Sequence, residues 1–277
     1  MNSLDGKVAF ITGAARGQGR SHALRLAREG ARIAAVDIAE SLPSVPYPGA
    51  TAADLRQTIE LVGQSGGQAI AIQADVRDPA AMDAAASSAL AAFGRIDVVC
   101  ANAGIVSGGA SWRLSEQQWR DVIDVNLTGV WHTTKAVIPA MIEARRGGSI
   151  IITSSIAGLR ASRNISHYAA SKHGVVGLMM ALANEVAPYG IRVNSVHPTT
   201  VATEMVLNEP TYRLFRPDLV KPTLEDTIPV FRSLNLLDVP WVEAIDVSNA
   251  VAWLASDEAR YVTGVALPID AGASVRA

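Results

Sequence analysis

Seven short segments of this chain are apolar on both faces, and helical patterns separate them from one another. They are Val8–Ile11, Arg32–Asp37, Gln68–Gln73, Ile96–Ala101, Ser149–Thr153, Ile191–Val196 and Val265–Ile269. A strand with one wet face alternates apolar and polar residues, and these do not. They suit a parallel sheet covered by helices on both sides. Helical character falls at Ser21–Glu29, Asp54–Gln64, Pro79–Phe93, Glu116–Ala144, Tyr168–Val186 and Val242–Ser256, with a distortion expected near Pro139. Strand and helix take turns from end to end, which predicts one doubly wound α/β sheet of the Rossmann type. Two stretches break the rhythm. Leu42–Gly49 has three prolines in eight residues and must be loop, inside an insertion at about 41–51. Glu204–Pro240 follows the sixth strand with scattered prolines and short amphipathic pieces, the place for a substrate lid.

Composition closes off several classes. Hydrophobic residues make up 49% of the 277, ample for a large core, so a mainly disordered chain is excluded. The 24 Lys and Arg against 26 Asp and Glu leave a formal net charge of −2, without a nucleic-acid binder's basic surplus. No apolar run approaches the ~18 residues that span a bilayer. The start, MNSLDGKVAF, lacks the basic beginning and long apolar stretch of a signal peptide. Cys100 is the sole cysteine and has no partner for a disulfide, which fits a reducing compartment. A soluble, cytoplasmic protein without nucleic-acid or membrane partners is expected. No linker, repeat or low-complexity tract divides 1–277, so the whole is read as one domain.

Between the first strand and first helix lies Thr12-Gly13-Ala14-Ala15-Arg16-Gly17-Gln18-Gly19. Glycines there allow a sharp turn and close approach of backbone to a ligand. The following helix aims its N-terminal amides at a pyrophosphate. Ordinary strand-to-helix turns also use glycine, so the cluster alone decides little. Asp37 adds weight. It ends the second strand 18 residues after Gly19, where a carboxylate accepts hydrogen bonds from the adenosine ribose of a dinucleotide. Such a carboxylate repels a 2′-phosphate and favours NAD over NADP. Arg16 inside the turn argues the other way, since an arginine there could hold that phosphate.

Tyr168 and Lys172 lie four residues apart on a predicted helix and so share a face. A free tyrosine, with a pKa of about 10, is a poor base near neutrality. A nearby ammonium favours the phenolate and brings it toward working range. A surface pair would look the same in sequence. Ser155 follows a buried strand and therefore sits at the carboxyl edge of the sheet, where open α/β sheets bind ligands. Its hydroxyl could hydrogen-bond a carbonyl or alcohol oxygen presented to Tyr168. Ser154 is adjacent and competes for that role.

Taken in order, TGAARGQG, Asn102-Ala103-Gly104, Asn126 within NLTG, the serine pair and Tyr168-Ala-Ala-Ser-Lys172 resemble the short-chain dehydrogenase/reductases. The resemblance covers nearly the whole chain. Ser155 stands thirteen positions before Tyr168, the family's spacing, which selects it over Ser154. The resemblance implies that Tyr168 is the general acid/base, and that Lys172 lowers its pKa and holds the nicotinamide ribose. It implies that Ser155 orients the substrate oxygen and that Asn126 fixes a water in a proton relay. Gly13, Arg16, Gly17, Gln18, Gly19, Asp37 and Ile38 would meet the cofactor, with Asp75 and Val76 at the adenine. Asn102, Ala103 and Gly104 would run beside it, and Pro198, Val201 and Thr203 would lie near the carboxamide. Ala101 stands where many members have asparagine. Thr199, in His197-Pro198-Thr199-Thr200-Val201-Ala202-Thr203, takes the usual glycine position, which leaves the local backbone path open.

The insertion after Asp37, the HPTTVAT segment and Val239-Pro240-Trp241-Val242-Glu243 look like an actinobacterial branch, carveol-dehydrogenase-like and coupled to mycofactocin. That likeness implies tightly held NAD(H), electrons passed to an external redox cofactor or acceptor, and a homotetramer. The insertion would fold over the adenosine side as a clamp; a decorative surface loop is the plainer alternative. Gly174 and Gly177 would serve close approach across a subunit interface, or packing within the chain. No metal site is expected, because the five histidines form no ligand pattern with Cys100 or with carboxylates. His167, His173 and His197 read as walls or structure, and Cys100 as inert packing. Met205, Val206, Leu207, Tyr212, Leu214, Phe215, Phe231, Leu234, Leu236 and Leu237 make the lid apolar, while Arg213, Arg216 and Lys221 are expected to face solvent. The leading expectation is NAD-dependent hydride transfer between a hydrophobic secondary alcohol and its ketone, with a terpenoid as the candidate substrate. An NADPH-dependent ketone or acyl-thioester reductase is the alternative, and a non-catalytic NAD sensor is a third.

Overall fold

The computed structural model describes residues 3–276. Its strands and helices are β1 (Val8–Thr12), α1 (Gly17–Arg28), β2 (Arg32–Asp37), α2 (Ala52–Gln64), β3 (Ala69–Gln73), α3 (Pro79–Phe93), β4 (Val98–Ala101), α4 (Glu116–Ile123), α5 (Gly129–Ala144) and β5 (Gly148–Thr153). They continue with α6 (Ser166–Val186), β6 (Ile191–Pro198), α7 (Glu209–Phe215), α8 (Leu224–Leu234), α9 (Ala244–Ala255) and β7 (Ala266–Ile269). The strands form one sheet in the order β3-β2-β1-β4-β5-β6-β7, and every neighbouring pair is parallel.

Burial on both faces explains the strand sequences. Ala9 and Ile11 of β1 point into a cluster with Leu26 of α1, Leu55 of α2 and Val251 of α9. Phe10 points the other way, toward Met82 of α3, Val137 of α5 and Met179 of α6. The same split puts Ile151 of β5 on one side and Ile150 and Ile152 on the other. A doubly wound parallel sheet is the outcome, as the pattern predicts.

One long helix expected over Glu116–Ala144 is broken, but not at its proline. Pro139 lies inside α5, which runs through it. The break comes earlier, as a π turn at Asp124–Thr128 that carries Asn126. Such turns insert a residue and rotate a side chain out of helical register. Gly129 follows because α5 packs hard on the chain below: a Cβ there would lie 2.6 Å from Val76 Cγ2. Residues 204–240, expected to be irregular, contain the two helices α7 and α8. Each has a polar cap: Asn208 accepts from Thr211 N, and Thr223 shares a capping box with Asp226.

Candidate active site

The chain reverses its winding between β1 and β4, which are hydrogen-bonded neighbours. A crevice opens beyond the carboxyl ends of such strands, and here it is walled by the glycine turn, Asp37, Asp75 and Asn102–Gly104. Gly13, at φ +67°, meets the segment after β4 so closely that a Cβ would lie 2.9 Å from Ala103 Cα. A Cβ on Gly19 would lie 1.9 Å from the Gly13 carbonyl oxygen, so the helix start can sit under the turn only without a side chain. The result is a glycine-lined cradle at a helix N-terminus. Gln18 Oε1 is buried in that wall without a hydrogen-bond partner.

Asp37 is buried, and both its oxygens hold the loops around it. Oδ2 accepts from Ala15 N at 3.0 Å and Oδ1 from Ala39 N at 2.9 Å. The Arg16 guanidinium is engaged elsewhere, donating to the Pro48 carbonyl of the insertion. That insertion crosses the groove. Leu42, Val45, Tyr47 and Gly49 line it, Tyr47 Oη accepts from Val106 N at 3.2 Å, and Ser44 donates to Asp121 at 2.5 Å. Burial pushes the Tyr47 phenol up to about 12. Asp75 and Arg77 form an ion pair that extends to Asp121. Ile38, Val76 and Thr203 also line the groove. The side chains of Pro198 and Val201 do not: both are buried, and Val201 packs in the core and bridges to Val242. Thr199 needs no glycine-like backbone, and its hydroxyl donates to Asn235 Oδ1 at 3.0 Å.

Behind Gly104, which lines the groove, four side chains converge. Lys172 is 3% exposed, and its Nζ donates to the Thr153 carbonyl at 2.8 Å and lies 5.6 Å from the Tyr168 ring centroid. Burial lowers the Lys172 ammonium to about 8. Burial also raises the Tyr168 phenol, opposed by a hydrogen bond from Ser155. Burial thus disfavours the charged form of both groups and moves their two titrations apart. Ser155 caps the short helical turn after β5: its Oγ accepts from Ala157 N at 3.1 Å, which leaves its O–H to donate. Asn126 is spent on the backbone of Ile105 and on Ser171 Oγ, to which its Nδ2 donates at 3.3 Å. Its Oδ1 accepts from Ile105 N at 2.8 Å and its Nδ2 donates to the Ile105 carbonyl at 2.9 Å. Gly104 lets both groups come near, since a Cβ there would meet Asn126 Oδ1 at 3.4 Å and Lys172 Nζ at 3.5 Å. Ser154, the rival serine, donates to the Lys172 carbonyl and so faces the frame.

Histidines are woven into this frame. His197 is buried between Ser155 and Ser195, and His167 Nε2 lies 2.8 Å from Ser107 Oγ. His173 is exposed. His22 went unremarked in the sequence; it is fully buried under the glycine turn against Ser248, and its Nε2 has no hydrogen-bond partner. Burial pushes the Cys100 thiol up to about 12, so it is inert packing. Gly174 serves packing within the chain, where a Cβ would lie 2.9 Å from Leu127 Cδ2, while nothing approaches Gly177. In the lid, Met205 faces the groove and Leu214 presses on Gly108, but Leu236 and Leu237 are exposed and Phe231 is core, packed edge-on against Phe215. Arg213 pairs with Glu209, Arg216 with Asp218, and Lys221 is exposed. Among the described residues, no group of three His, Cys, Asp or Glu could hold a metal, and no helix is long and apolar enough to cross a membrane.

The short chain dehydrogenase family model matches residues 7–212. The (−)-trans-carveol dehydrogenase of Rhodococcus erythropolis is 52% identical over 277 residues, all of both chains. Carveol dehydrogenase from Mycobacterium avium, crystallised with NAD, superposes with a TM-score of 0.98 at 51% identity over all of both chains. A short chain dehydrogenase from Mycobacterium paratuberculosis bound to NAD gives 0.91 at 42% identity over 99% of this chain and all of that one. With its order of strands, its glycine cradle and these full-length likenesses, the chain belongs to the short-chain dehydrogenase/reductase family.

Proposed function

We propose that the chain is an NAD-dependent dehydrogenase that oxidises a hydrophobic secondary alcohol, of the terpenoid kind that carveol represents, and that it works as a single domain. The observation that carries the reading is the convergence of Ser155, Tyr168 and Lys172 behind Gly104, a wall residue of the groove that Asp37 also lines. The glycine cradle, without a Cβ at Gly13, Gly17 or Gly19, fits a diphosphate. The carboxylate of Asp37 suits a ribose diol and opposes a 2′-phosphate. When bound, NAD supplies the acceptor for the hydride that leaves the carbinol carbon.

The chain supplies the proton chemistry. Ser155 donates its O–H to the substrate oxygen, because its own oxygen is committed to Ala157 N. Tyr168, as phenolate, takes the alcohol proton, and the Lys172 ammonium stabilises that phenolate. Asn126 holds the Ile105 backbone, and through it the Gly104 wall. Tyr168→Phe should abolish turnover and leave NAD binding intact. Full retained activity would remove Tyr168 from the chemistry.

The insertion supports slow exchange of NAD. Arg16 to Pro48, Tyr47 to Val106 and Ser44 to Asp121 tie it across the groove on both sides. A dehydrogenase that keeps its NADH needs an electron acceptor that comes to it, hence an external redox partner such as mycofactocin. Shortening Leu42–Gly49 should speed NAD dissociation; an unchanged rate would sink the clamp. The reading also takes the protein as cytoplasmic and tetrameric. An NADPH-dependent reductase is disfavoured by Asp37 and by the Arg16 guanidinium, which is turned to Pro48 rather than left for a phosphate.

A further inference from the structure

We propose that His197 is a positioning residue, whose imidazole clamps the Ser155 carbonyl and so aims the Ser155 hydroxyl at Tyr168 and the substrate oxygen. The inference rests on the dehydrogenase reading above for its catalytic meaning. His197 stands near the end of β6 and is fully buried. Its Nδ1 lies 2.8 Å from the Ser155 carbonyl and its Nε2 2.8 Å from Ser195 Oγ. A carbonyl only accepts, so Nδ1 carries the proton and Nε2 of the neutral ring accepts from the Ser195 hydroxyl. Ser195 makes no other side-chain hydrogen bond among the described residues, and so serves to fix that tautomer. Burial lowers the imidazole pKa and keeps it neutral. Lys172 and His173 of α6 add to the lowering, while the Ser155 carbonyl and Asp270 beyond β7 oppose it.

The segment that ends β5 is held at successive residues. Lys172 Nζ grips the Thr153 carbonyl, Ser154 N donates to the Val196 carbonyl, and Ser154 Oγ donates to the Lys172 carbonyl. Ser155 has an extended backbone, φ −169° and ψ 166°, and its carbonyl also accepts from Gly158 N at 2.9 Å. Two donors on one carbonyl fix the peptide plane, and at the ψ of 166° held here that plane sets the direction of the Ser155 Cα–Cβ bond. With the Gly158 bond alone, the turn can rock about its own axis. His197 is the strut from the neighbouring strand that stops it.

Three substitutions separate this role from plain packing. The amide of His197→Asn places a donor where Nδ1 stands, His197→Gln reaches instead toward Ser195, and His197→Leu has no donor. The first readout is the titration of Tyr168 in protein carrying [ζ-13C]tyrosine, assigned with Tyr168→Phe. The Gln and Leu variants should raise its midpoint, because the Ser155 hydrogen bond that favours the phenolate is misaimed, and Asn should leave it near the wild-type value. The second readout is oxidation of a secondary alcohol, with kcat down about tenfold in Gln and Leu, KM little changed, and Asn close to wild type. A packing role would lower melting temperature in all three and move no titration. Equal behaviour of Asn and Gln, or a midpoint unmoved in every variant, overturns the proposal. Should the Leu variant fail to fold, Asn against Gln decides: a midpoint raised in Gln alone supports the clamp, and equal midpoints overturn it. A wild-type protein that oxidises no secondary alcohol removes the dehydrogenase reading, and the Tyr168 titration still decides the part played by His197.

Discussion

Replacing Lys172 by methionine keeps the length of the side chain and removes its charge. The ammonium lies 5.6 Å from the Tyr168 ring centroid. At an effective dielectric constant of about 20, a unit charge at that range favours a phenolate by about 3 kcal/mol. That is a factor on the order of a hundred in the fraction of phenolate, and in any rate that depends on it. The effect has a pH window. Burial lowers Lys172 to about 8, so the ammonium is largely present at neutral pH and fades above it. The ratio of wild-type to Lys172→Met activity should therefore be greatest below pH 8 and shrink above it. The lost hydrogen bond to the Thr153 carbonyl behaves differently, because a neutral amine still donates, and it adds a factor that does not change with pH. A single-turnover assay suits the purpose: a secondary alcohol such as carveol is mixed with NAD-saturated protein from pH 6 to 10, and NADH is read by absorbance. NAD affinity is measured beside it. A ratio constant across that range, with binding unchanged, would refute an electrostatic action of Lys172 on Tyr168.

Asp37→Ser should weaken NAD binding by tenfold or more, since the carboxylate holds Ala15 N and Ala39 N as well as facing the groove. Its preference over NADP should narrow, and titration of both cofactors checks this. His22 sets an acid limit on stability. Its pKa falls from 6.5 to about 4 by burial, with an Asn102 side-chain contact opposing. The unfolded chain takes up a proton below about 6.5 that the folded chain refuses, so stability is complete above that pH and falls toward pH 4. The loss approaches about 3 kcal/mol, and urea midpoints at pH 7.5 and 4.5 should separate less in His22→Gln than in the wild type.

The doubly buried strands were legible because each repeats the same physical demand. Residues such as Phe10 and Ile11 are neighbours that point to opposite faces and both need a core. The cradle was legible too, because Gly13, Gly19 and Asp37 lie within one βαβ unit and local spacing carries their meaning. The π turn at Asp124–Thr128 was not. Its cause is distant in sequence: Asn126 turns inward to grip Ile105, and Gly129 must fit against Val76. Pro139 attracted the expected break because it is the local signal, and the helix tolerated it. The lid helices did leave marks, Asn208 ahead of Pro210 and the pair Thr223 and Asp226, but short helices with internal prolines give little periodicity. The destination of Arg16 could not be read at all. Its partner is a backbone carbonyl in the insertion, and any residue presents one.

A common logic joins the polar residues of the site. At the carboxyl ends of parallel strands the sheet hydrogen bonds run out, and unpaired backbone groups must find other partners. Here side chains supply them. Lys172 takes the Thr153 carbonyl, His197 the Ser155 carbonyl, Asn126 both backbone groups of Ile105, and Thr12 Oγ1 the amides of Asn102 and Ala103. Each is buried or nearly so, and each would cost free energy if left unpaired. On the proposed reading, Lys172 and His197 therefore serve the reaction and complete the fold at this edge at once. The lid is built otherwise, from apolar contacts such as Leu214 on Gly108 and Phe215 on Phe231 that fix no backbone at the reacting end. Its apolar side chains can be exchanged without unpairing anything in the frame, whereas Asn235, which accepts from Thr199 Oγ1, cannot. Substrate choice is thus free to vary on a scaffold whose chemistry is not, because removing Lys172, His197 or Asn126 disturbs backbone and reaction together.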